Sequence, residues 1–151
     1  MPFRIAKQFT VESGHLLTKH PGACRFPHGH SRTIEVVLIA DTLDAHDMVC
    51  DFKALKRLLT ATVECFDHSL ALNTEDPQFD VFYMHYRERI VPFEGADPTS
   101  EMLAQRIFHA LQAALRQQAG VMGVEFPVPE GVRLERVRVT ETASSWAEYW
   151  E

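Results

Sequence analysis

The stretch CRFPHGHS, Cys24 to Ser31, sets a thiol four residues ahead of a His-Gly-His triplet. Residues two apart leave the same face of an extended strand, so His28 and His30 can converge on one cation. Imidazole is a good zinc ligand, and three nitrogens with one position left open are the pattern of a catalytic rather than a structural zinc. His15 is the candidate third nitrogen, because it ends an alternation that carries Phe3, Ile5, Phe9 and Val11 on one phase. A lone H-x-H says little, since a strand histidine is more often a hydrogen-bonded core or surface residue. His15 in phase and Cys24 nearby strengthen the metal reading.

Cys24 has two roles open to it: a fourth ligand, or a reactive thiol that leaves the metal an open position. Cys50 and Cys65 read as buried small hydrophobes. The segment FDHSLALN places Asp67 beside His68, where an aspartate can orient an imidazole; the plainer reading is a helix exit whose histidine complements the dipole. Glu141 shares the phase of Val137 and Val139 at the end of an apolar strand. Left alone there a carboxylate is costly, so it calls for a salt bridge or for a ligand rich in hydrogen-bond donors.

Those residues need a scaffold. The chain's 151 residues suit one domain, residues 1–151, with 46% hydrophobic and 24% charged residues. A net charge of -6 with no basic block argues against a general nucleic-acid binder. An odd cysteine count without a C-x-x-C pair does not look like a disulfide framework, which favours a reducing cytoplasm. No signal peptide or membrane span is evident.

Alternation predicts strands over residues 3–15 and 28–40, joined by the Pro- and Gly-punctuated LLTKHPGACRFP. Asp51 is placed to cap a helix carrying Phe52, Leu55, Leu59, Thr62, Val63 and Phe66. Thr99 is placed to cap a second, with Glu101 in its first turn, that carries Leu103, Ile107, Leu111 and Leu115 and stops at Gly120. VRLERVRVTET and SSWAEYW read as two more strands. Residues 73–98 read as a long, partly ordered connection. The order implies an α+β fold, an antiparallel sheet with both helices on one face.

The succession of His15, CRFPHGH, MVCDF, FDHSLALN, PTSE and VTET resembles the family of 6-pyruvoyltetrahydropterin and 6-carboxytetrahydropterin synthases over nearly the whole chain. The resemblance implies the tunnelling fold, an antiparallel four-stranded sheet with two helices on one side, assembled as a homo-oligomer, commonly a dimer of trimers. It implies zinc held by His15, His28 and His30, and 7,8-dihydroneopterin triphosphate as substrate. Glu141 would hold the pterin's N–H groups, while Cys24, Asp67 and His68 would move protons, the last two often from an adjoining subunit.

The sequence departs from the family pattern at Met102, where asparagine is usual, and at Phe66, where leucine is commoner. Lys19, Arg25 and Arg32 are candidates to contact the triphosphate, but solvated surface charge is the plainer reading of each. The expectation is a cytoplasmic zinc-dependent lyase that forms 6-carboxy-5,6,7,8-tetrahydropterin, acetaldehyde and triphosphate on the queuosine route. The rivals are a 6-pyruvoyltetrahydropterin synthase, a non-catalytic pterin- or metal-binding module, and a metal-free Cys-His-Asp hydrolase.

Overall fold

The computed structural model describes residues Met1–Glu151. Strands β1 (Phe3–His15) and β2 (His28–Ala40) form one long antiparallel hairpin, in register from Phe3↔Ala40 to His15↔His28. The predicted phases hold: Val11 and His15 from β1, with Ile34, Val36 and Leu38 from β2, are buried on one face. Helix α1 (Phe52–Val63) starts where Asp51 accepts a hydrogen bond from the Lys53 N–H, and α3 (Ser100–Gln118) where the Thr99 hydroxyl accepts from the Met102 N–H. Gly120, at φ 74°, follows the end of α3.

The sheet is larger than expected. Strands β3 (Ser69–Asn73) and β4 (Ile90–Phe93) join β5 (Arg133–Thr142) and β6 (Ser145–Trp150) in six strands ordered β4-β3-β1-β2-β5-β6. Pairing of β1 with β3 and of β3 with β4 is parallel, so the sheet is mixed rather than antiparallel and four-stranded. Residues 73–98 are correspondingly structured, with a third helix, α2 (Phe79–Tyr86), between the two short strands.

The reasons these elements escaped the periodicity are local. Most of β3 is buried along its length and shows no alternation. β4 carries Pro92, which reads as a breaker but is tolerated because this is an edge strand. The aromatic and β-branched residues of FDVFYMHY are poor helix formers, and no side chain caps the start of α2.

Helices α1 and α3 cover one face of the sheet. Leu55, Leu59, Leu103, Ile107 and Phe108 pack there with Ile34, Val36, Val137 and Val139. A smaller cluster of Leu16, Leu72 and Ile90 lies under α2. The opposite face is charged: Glu35 and Glu148 both pair with Arg136, and Arg138 joins Glu148. Two sequence readings are corrected here. Arg32 is buried rather than solvated, because it continues the inward phase of β2, and Cys65 is exposed on the turn after α1. No helix is long and apolar enough to cross a membrane.

Phe108 is fully buried, and its ring meets Tyr149 edge-on at 5.1 Å, tying α3 to β6. Phe108→Ala is expected to lower stability by about 3–5 kcal/mol, read as a shift of the urea midpoint with an unchanged slope.

Candidate metal centre

Because His15 faces His28 across the hairpin and Ser13 faces His30, three imidazoles meet at one end of the sheet. Their ring centroids lie 4.5 to 5.2 Å apart, and one nitrogen from each falls within 4.8 Å of the others. Backbone carbonyls set the tautomers of two of them. His15 Nδ1 lies 2.8 Å from the Pro98 carbonyl and His28 Nδ1 lies 2.7 Å from that of Phe26. A carbonyl can only accept, so each Nδ1 carries the proton and each Nε2 keeps its lone pair for a cation. The buried Nε2 atoms of His28 and His30 have no hydrogen-bond partner, which is unusual for buried polar atoms and fits a metal between them.

Burial is the largest influence on two of these imidazoles, His15 and His30. It drives His15 down from 6.5 to about 4, with the Pro98 hydrogen bond opposing it and Arg32 assisting. His30 is also lowered, again chiefly by burial. Both rings are therefore neutral near pH 7, the form that binds metal. The Pro98 carbonyl is itself held in place. The Asp97 carboxylate accepts from Asn73 Nδ2 at 2.9 Å and from the Lys19 N–H at 2.8 Å, anchoring the segment that leads into α3.

Glu141 borders the centre, with Oε1 3.8 Å from His30 Nε2. Pairing of β5 with β6 jumps from Thr140↔Trp146 to Thr142↔Ser145, so Glu141 is the extra residue of a bulge, a device that re-aims a side chain. Burial acts to raise its carboxyl, but the Ser100 hydrogen bond and the Arg32 guanidinium outweigh it and hold it below the ordinary range. Arg32 and Ser100 were not singled out from the sequence as part of this centre. Arg32 was detectable, since it is two residues past His30 in the same phase.

Cys24, itself half-buried, lies on an otherwise exposed turn, Ala23–Arg25, with its carbonyl accepting from the Leu17 N–H at 2.9 Å. Its sulfur is not among the atoms that converge with the three histidines. Asp67 and His68 form a pair of their own, with Nδ1 2.9 Å from Oδ2. The other Asp67 oxygen accepts from the Glu12 N–H at 2.8 Å, and His68 takes φ 52° as its N–H reaches the Glu12 carbonyl. The His68 side chain is 73% exposed in the single chain. Arg25 and Lys19 are exposed, as expected.

A family model described as 6-pyruvoyl tetrahydropterin synthase matches residues 4–151. The chain belongs to this family. A 6-carboxy-5,6,7,8-tetrahydropterin synthase of Aquifex aeolicus is 35% identical over 170 aligned positions, spanning 100% of this chain and 99% of that one. Among solved structures, an uncharacterised protein of Wolinella succinogenes superposes with a TM-score of 0.81 at 21% identity, covering 100% of this chain and 99% of the other. The 6-pyruvoyl tetrahydropterin synthase of Plasmodium vivax does so with a TM-score of 0.72 at 15% identity, covering 100% and 98%. The two structural likenesses establish the shared fold. The family is one of pterin synthases, enzymes built on this curled sheet.

Removing any one imidazole is expected to weaken divalent-metal binding by more than about a hundredfold, since even outer-shell partners of a ligand are worth 10–100-fold. Equilibrium dialysis of His15→Ala, His28→Ala and His30→Ala checks this. The metal-free protein should be at full stability above about pH 6.5. Between there and about pH 4 the unfolded chain binds a proton that folded His15 refuses, so roughly 2–3 kcal/mol is lost on acidification, measurable by urea titration across pH.

Proposed function

We propose that the chain is a zinc-dependent 6-carboxytetrahydropterin synthase, converting 7,8-dihydroneopterin triphosphate to 6-carboxy-5,6,7,8-tetrahydropterin, acetaldehyde and triphosphate. The observation that carries the metal part is the pair of orphaned, buried Nε2 atoms of His28 and His30 beside His15. The choice of product follows the name of the Aquifex aeolicus relative. The conversion consumes one water: triphosphate leaves by elimination, two side-chain carbons leave as acetaldehyde, and the carbon that becomes the carboxylate is oxidised as the ring is reduced.

When bound, zinc supplies Lewis acidity that makes the neighbouring hydroxyl and C–H groups of the substrate side chain easier to deprotonate. His15, His28 and His30 hold the metal while neutral. Glu141, ionised and bordering the centre, receives the amino and ring N–H groups of the pterin. That role gives its free oxygen the donors a half-buried carboxylate needs. Cys24 takes and returns the side-chain proton, and His68, oriented by Asp67, completes the relay.

The exposure of His68 supports an assembly in which this pair serves a site on an adjoining subunit, as in a homo-oligomer built as a dimer of trimers. The hollow beside His30, lined by Ser13, Gly14, Gly29 and Ser31, is about 310 Å³, small for a whole pterin triphosphate. A second subunit would supply the remaining wall. The free state of Cys24, Cys50 and Cys65 supports placing the enzyme in the cytoplasm.

Incubation of zinc-loaded protein with 7,8-dihydroneopterin triphosphate, with products identified by mass and acetaldehyde assayed in parallel, tests the proposal. Acetaldehyde with 6-carboxytetrahydropterin is expected. 6-Pyruvoyltetrahydropterin without acetaldehyde would assign the other activity of the family, and binding without turnover would leave a pterin-binding module. Cys24→Ala is expected to lose turnover by at least about a hundredfold while keeping its zinc, as removal of a proton-transfer group does. Loss of the metal as well would make the thiol a ligand.

A further inference from the structure

Arg32 is a charged side chain at 1% exposure that takes no part in holding the metal or moving protons. It lies where β2 and β5 part company. The last backbone pair is Ile34↔Val139, beyond which the Thr140 hydroxyl accepts the Thr33 N–H at 2.7 Å. The guanidinium spans the gap that opens. Nη1 donates to Ser100 Oγ at 2.8 Å and lies 3.8 Å from Glu141 Oε2, while Nε is buried without a partner.

Nη2 stands 3.3 Å from both ring nitrogens of His15. The lone pairs of one imidazole diverge, so no single donor can lie in the ring plane and reach both; the guanidinium covers the ring face. One cation thus touches a histidine of the metal centre and the support of the carboxylate.

The direction of the chain is forced. Arginine offers only donors, so Ser100 Oγ accepts from Arg32 and its single proton goes to Glu141 Oε2. Glu141 Oε2 is held from behind by this hydroxyl, and Oε1 is left toward His30. A guanidinium in a dry interior is costly unless its geometry is used, and here the fork reaches two separate groups.

We propose that Arg32 is a positioning residue: its guanidinium, wedged between the His15 ring and Ser100, fixes the Glu141 carboxylate in one orientation relative to the three histidines. Substrate is then met by a preset oxygen at a set distance from the metal, and Arg32 acts on it only through Ser100 and Glu141. This rests on the reading that Glu141 receives the pterin.

The test is a double-substitution cycle on the zinc-loaded enzyme, read by binding of neopterin, an unphosphorylated pterin, and by zinc content. Arg32→Lys keeps the buried charge but loses the fork. It should weaken neopterin binding at least tenfold with one zinc per chain retained, and raise KM for the triphosphate more than it lowers kcat. Ser100→Ala should weaken binding at least fivefold. The double variant should bind no worse than Arg32→Lys alone, because both act along one path.

Unchanged neopterin binding in Ser100→Ala, or multiplicative losses in the double variant, would overturn the proposal. Ser100→Ala decides the matter even if Arg32→Lys fails to fold. Absence of neopterin binding in the unsubstituted enzyme would instead overturn the pterin reading itself, and the positioning role with it.

Discussion

Antiparallel pairing of β1 with β2 runs unbroken from Phe3↔Ala40 to His15↔His28, and the convergence of the three histidines at the candidate metal centre follows from that register. A slip of one residue would turn His28, His30 and Arg32 to the charged face and leave His15 facing a glycine. The register is fixed by burial rather than by the tip of the hairpin. Val11, Ile34, Val36 and Leu38 all enter the core under α1 and α3, so any other alignment exposes them together. The loop is thereby freed to carry Cys24 and the carbonyl of Phe26, neither of which has to hold the strands in place.

Around that centre charge and burial are balanced in an unusual way. Three imidazoles share one end of the sheet with a buried permanent cation, Arg32, and with one half-buried carboxylate, Glu141. Arg32 disfavours protonated histidine, and burial does so more strongly, which keeps nitrogen lone pairs available. Glu141 stays ionised because Ser100 and Arg32 supply what burial withdraws. The bulge in β5 lets one strand end serve both needs, closing the core at Val139 and turning Glu141 toward the histidines.

The convergence of the three histidines was legible because they follow the simplest rule of strands, a period of two, and the two long helices because their caps and apolar spacing agree. Glu141 was legible for the same reason, through Val137 and Val139. Arg32 follows the same rule, but a charged residue ordinarily reads as solvent-facing, which masks its phase in the sequence. β3, α2 and β4 were not legible: two-sided burial erases alternation in SLALN, Pro92 reads as a break, and FDVFYMHY carries weak helix propensity. Those three elements are held by contacts with β1 and with one another, which no local window contains. The parallel pairing of Ser13 with Ser69 is such a contact, and it is what sets the Asp67–His68 pair beside Glu12.

The measurement that bears most directly on the centre is X-ray absorption at the zinc edge of the zinc-loaded protein. Three histidine nitrogens at about 2.0–2.1 Å, with the multiple-scattering pattern of imidazole and no sulfur neighbour, are predicted. A sulfur at about 2.3 Å would make Cys24 a ligand and contradict the open, three-histidine site on which the proposed chemistry depends.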